Sequence, residues 1–197
     1  PLIAAIAAGN TAIIKPSEFT PASSAFLKKL IEKTFTENEV AVVVGDQRVA
    51  TELLSHPFNH ILFTGSPETG KIIMAAAANH LAGVTLELGG KSPVIVDESA
   101  NIVETAWKLA FYKFANAGQT CTAPDYILCH EDKKEALVLG LKENFTAFFD
   151  GNNTKQSKDY CQIVTHAHFD RVKDYLDDAK KMGASVEIGG HTNREDK

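Results

Sequence analysis

Short runs of β-branched residues alternate with helix-patterned segments through the first 81 residues, and no other feature restricts the fold as strongly. "TAIIK" (11–15), "VAVVVG" (40–45) and "HILFTG" (60–65) are predicted strands. "TPASSAFLKKLIEKTF" (20–35), "RVATELLSH" (48–56) and "PETGKIIMAAAANHL" (67–81) are predicted helices, the first with Thr20 as N-cap and Pro21 at its opening position. Strand–helix–strand units this short form an α/β fold, a parallel sheet covered by helices. The continuous run Val42, Val43 and Val44 suits a strand buried on both faces.

The pattern changes after "GVTLELGGKSPVIVD" (83–97), where two glycines and a proline interrupt β-type residues. A long helical stretch (101–118), a strand at "YILCH" (126–130), helices around 131–149 and 166–182 and a strand at "SVEIGG" (185–190) make a second α/β unit, with the boundary expected near 85–92. The chain starts at Pro1 inside a helical pattern and ends at "HTNREDK" without a closing element, so it reads as an internal piece of a longer protein.

With 44% hydrophobic and 23% charged residues the chain has the material for a packed core. A net charge of −5 without a basic cluster argues against a nucleic-acid partner. The longest apolar run, "PLIAAIAAG", is too short to span a bilayer and has no charged segment before it, so no integral membrane segment is expected and the predicted location is cytoplasmic. Cys121, Cys129 and Cys161 lack metal-type spacing and read as three thiols. The sequons at Asn144 and Asn152 would matter only in a secreted chain.

"FTGSPETGKI" (63–72) carries the G-x-x-x-x-G-K of a phosphate-binding loop, but Ile72 stands where a Mg²⁺-binding hydroxyl is required. The G-x-G-x-x-G dinucleotide spacing is also missing, since only Gly65 and Gly70 are present. Two readings stay open: an anion-binding turn at a helix start, or a strand-to-helix connection that needs glycine.

Cys121 follows Gly118, Gln119 and Thr120 among small and polar residues, where a thiol is reachable as a nucleophile, although a buried cysteine acting as a small hydrophobe is the alternative. Cys129 and Cys161 fit that alternative. Glu87 lies among Val84, Leu86 and Leu88; it is either a desolvated carboxylate with a raised pKa, suited to proton transfer, or a solvent-facing residue of an alternating strand. His56, His60, His166 and His168 lack a carboxylate framework for a metal and read as surface.

"KPSE" (15–18), "FTGSPETG" (63–70), "LELGGKSP" (86–93) and "GQTCTAPDY" (118–126), in this order and spacing, resemble the aldehyde dehydrogenase superfamily, and the last is most similar to its class 3 and fatty aldehyde branch. The resemblance covers essentially the whole chain. It implies that 1–86 is part of an NAD-binding, Rossmann-like domain and 87–197 part of a catalytic domain. By the same resemblance Cys121 attacks an aldehyde, the thiohemiacetal gives hydride to the nicotinamide, and Glu87 activates the water that hydrolyses the resulting thioester. It places Lys15 and Glu18 at the adenosine ribose, and Gly65, Ser66, Pro67, Glu68, Thr69, Gly70 and Leu88 around the dinucleotide. A carboxylate at Glu18 opposes a 2′-phosphate, so NAD is the first choice of cofactor, with NADP tolerated in the class 3 branch.

The family's oxyanion-binding Asn is expected upstream of Pro1 and its Glu-x-Phe motif beyond Lys197, so this piece alone is expected to be inactive. A homo-oligomer is expected for the full-length protein. Within enzymes the rival is the CoA-acylating type, against which Glu87 counts. A non-catalytic structural relative is countered by the presence of both Cys121 and Glu87, and a P-loop phosphotransferase by Ile72.

Overall fold

The computed structural model describes residues 1–149 and 157–197, so the sequon at Asn152 lies outside the described residues. The chain divides into two units, Pro1–Gly89 and Gly90–Lys197. Glu87 therefore belongs to the first.

The first unit runs α1 (Leu2–Ala7), β1 (Ala12–Ile14), α2 (Pro21–Thr34), β2 (Val40–Val42), α3 (Gln47–Leu54), β3 (His60–Thr64), α4 (Pro67–Ala78) and β4 (Gly83–Glu87). β1 pairs in parallel with β2 across α2, and β3 with β4 across α4. These are two successive βαβ units, each with its own two-stranded ladder. Period-two alternation puts Val40 and Val42 on one face of β2. There they join Ile31 in a core packed by Leu2, Ile6, Ile14, Leu27 and Phe35. Val44 is exposed, so the valine run is not buried on both faces as its composition suggested. The strand ends at Val42, and the residues that bury it come from α1, α2, β1 and the end of α2.

Helix starts follow the local chemistry. The Asp46 carboxylate accepts from Arg48 N–H at 2.9 Å at the head of α3. Thr20 holds the N-cap position of α2 but makes no side-chain cap bond; its hydroxyl donates to Ser17 C=O at 3.4 Å, and Pro21 still occupies the first helical position.

The second unit runs β5 (Ser92–Val96), α5 (Ile102–Phe114), β6 (Pro124–Cys129), α6 (Glu131–Phe148) and α7 (His166–Lys181). β5 and β6 pair in parallel across α5, a third βαβ unit. Val96, Ala106, Leu109 and Leu137 form its core, flanked by Val94, Ile127 and Cys129. Gly140 lets α6 come close to α5, because a Cβ there would lie 2.8 Å from that of Ala106. Phe114 and Phe145 pack with ring centroids 4.5 Å apart, and Tyr160 meets Phe149 at 5.0 Å. Burial in this aromatic cluster pushes the Tyr160 hydroxyl pKa up.

Two sequence expectations fail here. "SVEIGG" forms no strand: Gly189 and Gly190 turn the chain with φ of 72° and 77°, and no described strand pairs with the segment. The helix expected to reach residue 118 stops at Phe114 and passes into a short 3₁₀ turn, Ala115–Gly118. Asn116, Ala117 and Gly118 take left-handed φ of 54°, 54° and 74°, which no α-helix accommodates. Among the described residues no helix is long and apolar enough to cross a membrane.

Candidate functional site

In the first unit, β3 and β4 end side by side. Thr64 stands opposite Glu87 in the ladder, and the next residue, Gly65, donates its N–H to Glu87 C=O at 3.0 Å. The turn in "FTGSPETG" thus begins against Glu87. Ser66 caps α4, its hydroxyl accepting from Thr69 N–H at 3.2 Å and meeting Thr69 Oγ1 at 3.1 Å. Pro67 takes the first helical position and Glu68 lies in the first turn. One turn on, Gly70 is buried, and a Cβ there would lie 2.9 Å from Leu88 Cδ2. Gly65, Ser66, Pro67, Glu68, Thr69, Gly70, Glu87 and Leu88 are therefore gathered at the carboxyl edge of one parallel pair, the edge where α/β sheets bind ligands.

Glu87 itself is exposed, while Val84 and Leu86 are half-buried. Of the two settings open to it from the sequence, this is the solvent-facing one.

Lys15 and Glu18, just beyond β1, are a bonded pair: Lys15 Nζ donates to Glu18 Oε2 at 3.0 Å and to Pro16 C=O at 3.2 Å. The backbone N–H of Glu18 and then the Lys15 ammonium hold the Glu18 carboxyl below the usual carboxylate range, so it is charged at neutral pH.

In the second unit Cys121 occupies a turn closed by Ala123 N–H donating to Thr120 C=O at 3.1 Å, and its thiol is exposed. The backbone of Gly90 passes against this turn so closely that a Cβ at Gly90 would run into the Cys121 carbonyl oxygen. Beside it, Asp125 is paired with Lys91 at 3.1 Å and Lys113 at 3.6 Å, and Lys91 leads in holding its carboxyl below the usual range. Cys129 is half-buried against the core, as a small hydrophobe would be. Cys161 is exposed and departs from that expectation, because its segment forms neither strand nor helix that would bury it. His56, His60, His166 and His168 are exposed, and among the described residues no His, Cys, Asp and Glu cluster could hold a metal.

Gly90, Asp125 and Gln119, whose side chain crosses to a distant segment, were not singled out from the sequence. For Gly90 the signal was there: a double glycine in "LELGGK" marks a close backbone approach.

Successive parallel βαβ units, with a glycine turn and helix start at a strand edge, define a Rossmann-like α/β protein. The chain belongs to the aldehyde dehydrogenase family, whose sequence profile matches residues 1–197. It is 47% identical over 197 residues to the 4,4'-diaponeurosporen-aldehyde dehydrogenase of Staphylococcus aureus, covering 100% of this chain and 42% of that one. It is 46% identical over 180 residues to the dimeric NADP-preferring aldehyde dehydrogenase of Rattus norvegicus, covering 91% of this chain and 40% of the relative. Among solved structures, the substrate-bound state of Staphylococcus aureus AldH superposes with a TM-score of 0.87 at 47% identity over 100% of this chain and 42% of that chain. A mutant aldehyde dehydrogenase C from Pseudomonas syringae, complexed with NAD⁺ and octanal, gives 0.85 at 27% identity over 99% of this chain and 41% of that one. The chain thus spans about two-fifths of the length of these relatives.

Proposed function

We propose that the full-length protein oxidises an aldehyde to a carboxylic acid with NAD⁺, using Cys121 as nucleophile and Glu87 as general base. The first unit is the cofactor-binding part and the second the part that carries the nucleophile. The observation that supports this best is the β3–β4 edge, where the Gly65 N–H to Glu87 C=O bond sets the glycine turn beside the candidate base.

The residues present fit a dinucleotide. The α4 start places the Ser66 and Thr69 hydroxyls at a strand edge, Gly65 and Gly70 lie where a Cβ would crowd Phe63 and Leu88, and Lys15 and Glu18 offer a donor and an acceptor beyond β1. Ser66, Thr69 and the α4 start would hold the phosphates, and Glu18 with Lys15 the ribose hydroxyls. When bound, the dinucleotide supplies the hydride acceptor. A charged Glu18 opposes a 2′-phosphate, which makes NAD⁺ the preferred form; the name of the rat relative keeps NADP⁺ as the alternative.

Cys121 acts as thiolate, forming a C–S bond to the carbonyl carbon while the carbonyl oxygen takes the negative charge. After oxidation the substrate is held as a thioester. Glu87 takes a proton from a water whose oxygen attacks that carbon; the C–S bond breaks and the thiolate returns with the carboxylate product. A homo-oligomer agrees with the rat relative, described as dimeric.

Cys121→Ser in the full-length protein tests the central assignment. Aldehyde oxidation should fall below about a hundredth of wild type while NAD⁺ binding, followed by titration, persists. Higher residual oxidation would remove Cys121 from the role.

A further inference from the structure

Gln119, two residues before Cys121, uses both ends of its side-chain amide on a segment far away in sequence. Its Nε2–H donates to Gln162 C=O at 3.2 Å, and its Oε1 accepts from Val164 N–H at 3.0 Å, across separations of 43 and 45 residues. The same Nε2 donates to Asn116 C=O at 3.0 Å, while Asn116 Nδ2 donates back to Gln119 C=O at 3.1 Å. The backbone N–H of Gln119 also donates to Asn116 C=O at 3.1 Å.

These bonds enclose a conformation that needs holding. Asn116 and Ala117 sit at φ 54° and Gly118 at 74°, three left-handed residues in succession. Gly and Asn tolerate that region, but the Ala117 Cβ is crowded there, and such backbone persists only where its surroundings impose it. Gln119 is half-buried, and a single residue, Thr120, separates it from Cys121.

We propose that Gln119 is a positioning residue, locking the left-handed turn 116–118 to the backbone at 162–164 and so fixing where the Cys121 thiol is presented. The Gly90 backbone lies against the Cys121 carbonyl in the turn that follows. The catalytic consequence rests on the reading of Cys121 as nucleophile.

The test uses the full-length protein. Gln119→Met keeps the side-chain length and removes its side-chain hydrogen bonds; Gln119→Glu keeps the acceptor for Val164 and removes the donors. Displacing a nucleophile by about 1 Å costs about 100-fold, so kcat should fall roughly 10- to 100-fold in Gln119→Met, with at least as large a fall in Gln119→Glu, whose second carboxylate oxygen would face the carbonyls of Asn116 and Gln162, and an unchanged KM for NAD⁺. Alkylation of Cys121 by iodoacetamide, followed on its own peptide, should stay within about threefold of wild type, because an exposed thiol needs no alignment to meet a small reagent.

An unimpaired Gln119→Met beside a dead Cys121→Ser overturns the positioning role alone. So does alkylation that falls in step with kcat in both Gln119 variants, which would mean that the reactivity of the thiol, and not its placement, was lost. An active Cys121→Ser overturns the nucleophile reading, and the positioning role with it.

Discussion

Replacing Gly90 by alanine adds one methyl group, and the structure says where it goes. Gly90 is not among the positive-φ residues, so alanine can adopt its backbone conformation and the effect is steric. The new Cβ would overlap the carbonyl oxygen of Cys121, with the carbonyl carbon at 3.3 Å and the Cα at 3.9 Å. The obstruction is backbone, which cannot rotate away as a side chain could. The two segments must part by about 1 Å to regain ordinary contact. Overpacking of this kind costs about 1 to 3 kcal/mol, a fall in Tm of about 1 to 3 °C in a protein of the relatives' length. The catalytic cost should be of similar size, since a nucleophile displaced by about 1 Å loses about 100-fold in rate. Gly89→Ala is the control, because a Cβ there meets nothing within 4 Å among the described residues. Steady-state kcat and thermal unfolding of both full-length variants give the comparison. If alanine at 90 behaves like alanine at 89, the close approach to Cys121 has no consequence and the steric reasoning fails.

Glu18→Gln removes a charged carboxylate while keeping a hydrogen-bonding side chain, and it should raise the NADP⁺ to NAD⁺ ratio of kcat/KM by roughly 5- to 30-fold. An unchanged ratio would mean that Glu18 does not face the ribose. Asp125 has a folded-state pKa lowered chiefly by Lys91, so its stabilising contribution is present above its unfolded pKa of about 3.9 and is lost as pH falls through the lower folded value. With Lys91 largely exposed, that contribution should be below about 1 kcal/mol. Urea midpoints of wild type and Asp125→Asn, compared from pH 6 to pH 3, should converge toward the acid end; parallel curves would show that the pair contributes nothing.

The βαβ units were legible because their signals are local. Val40, Val42 and the Ile61–Phe63 run carry β propensity, and Pro21 and Pro67 stand at the first positions of their helices; the Asp46 and Ser66 caps emerged only in the structure. "SVEIGG" has the same local signal, but a strand also needs a partner, and the paired glycines took left-handed φ instead. The end of α5 was hidden for a related reason. Ala117 is a helix former in isolation, and the turn that forces it to φ 54° is held by Gln119 through residues 43 and 45 positions away. Cys121 and the 63–70 turn were recognisable as motifs. The Gly65 to Glu87 bond, the exposure of Glu87 and the Gly90 approach to Cys121 depend on register and tertiary packing, which no short window of sequence contains.

Rapid mixing of full-length Glu87→Gln with NAD⁺ and aldehyde tests the central claim most directly. An amide cannot take a proton from water, so acylation should proceed and deacylation stall: a burst of NADH approaching about one per active site, then slow turnover, with the acyl group found by mass spectrometry on the Cys121 peptide. Turnover at the wild-type rate without an acylated Cys121 would contradict the account.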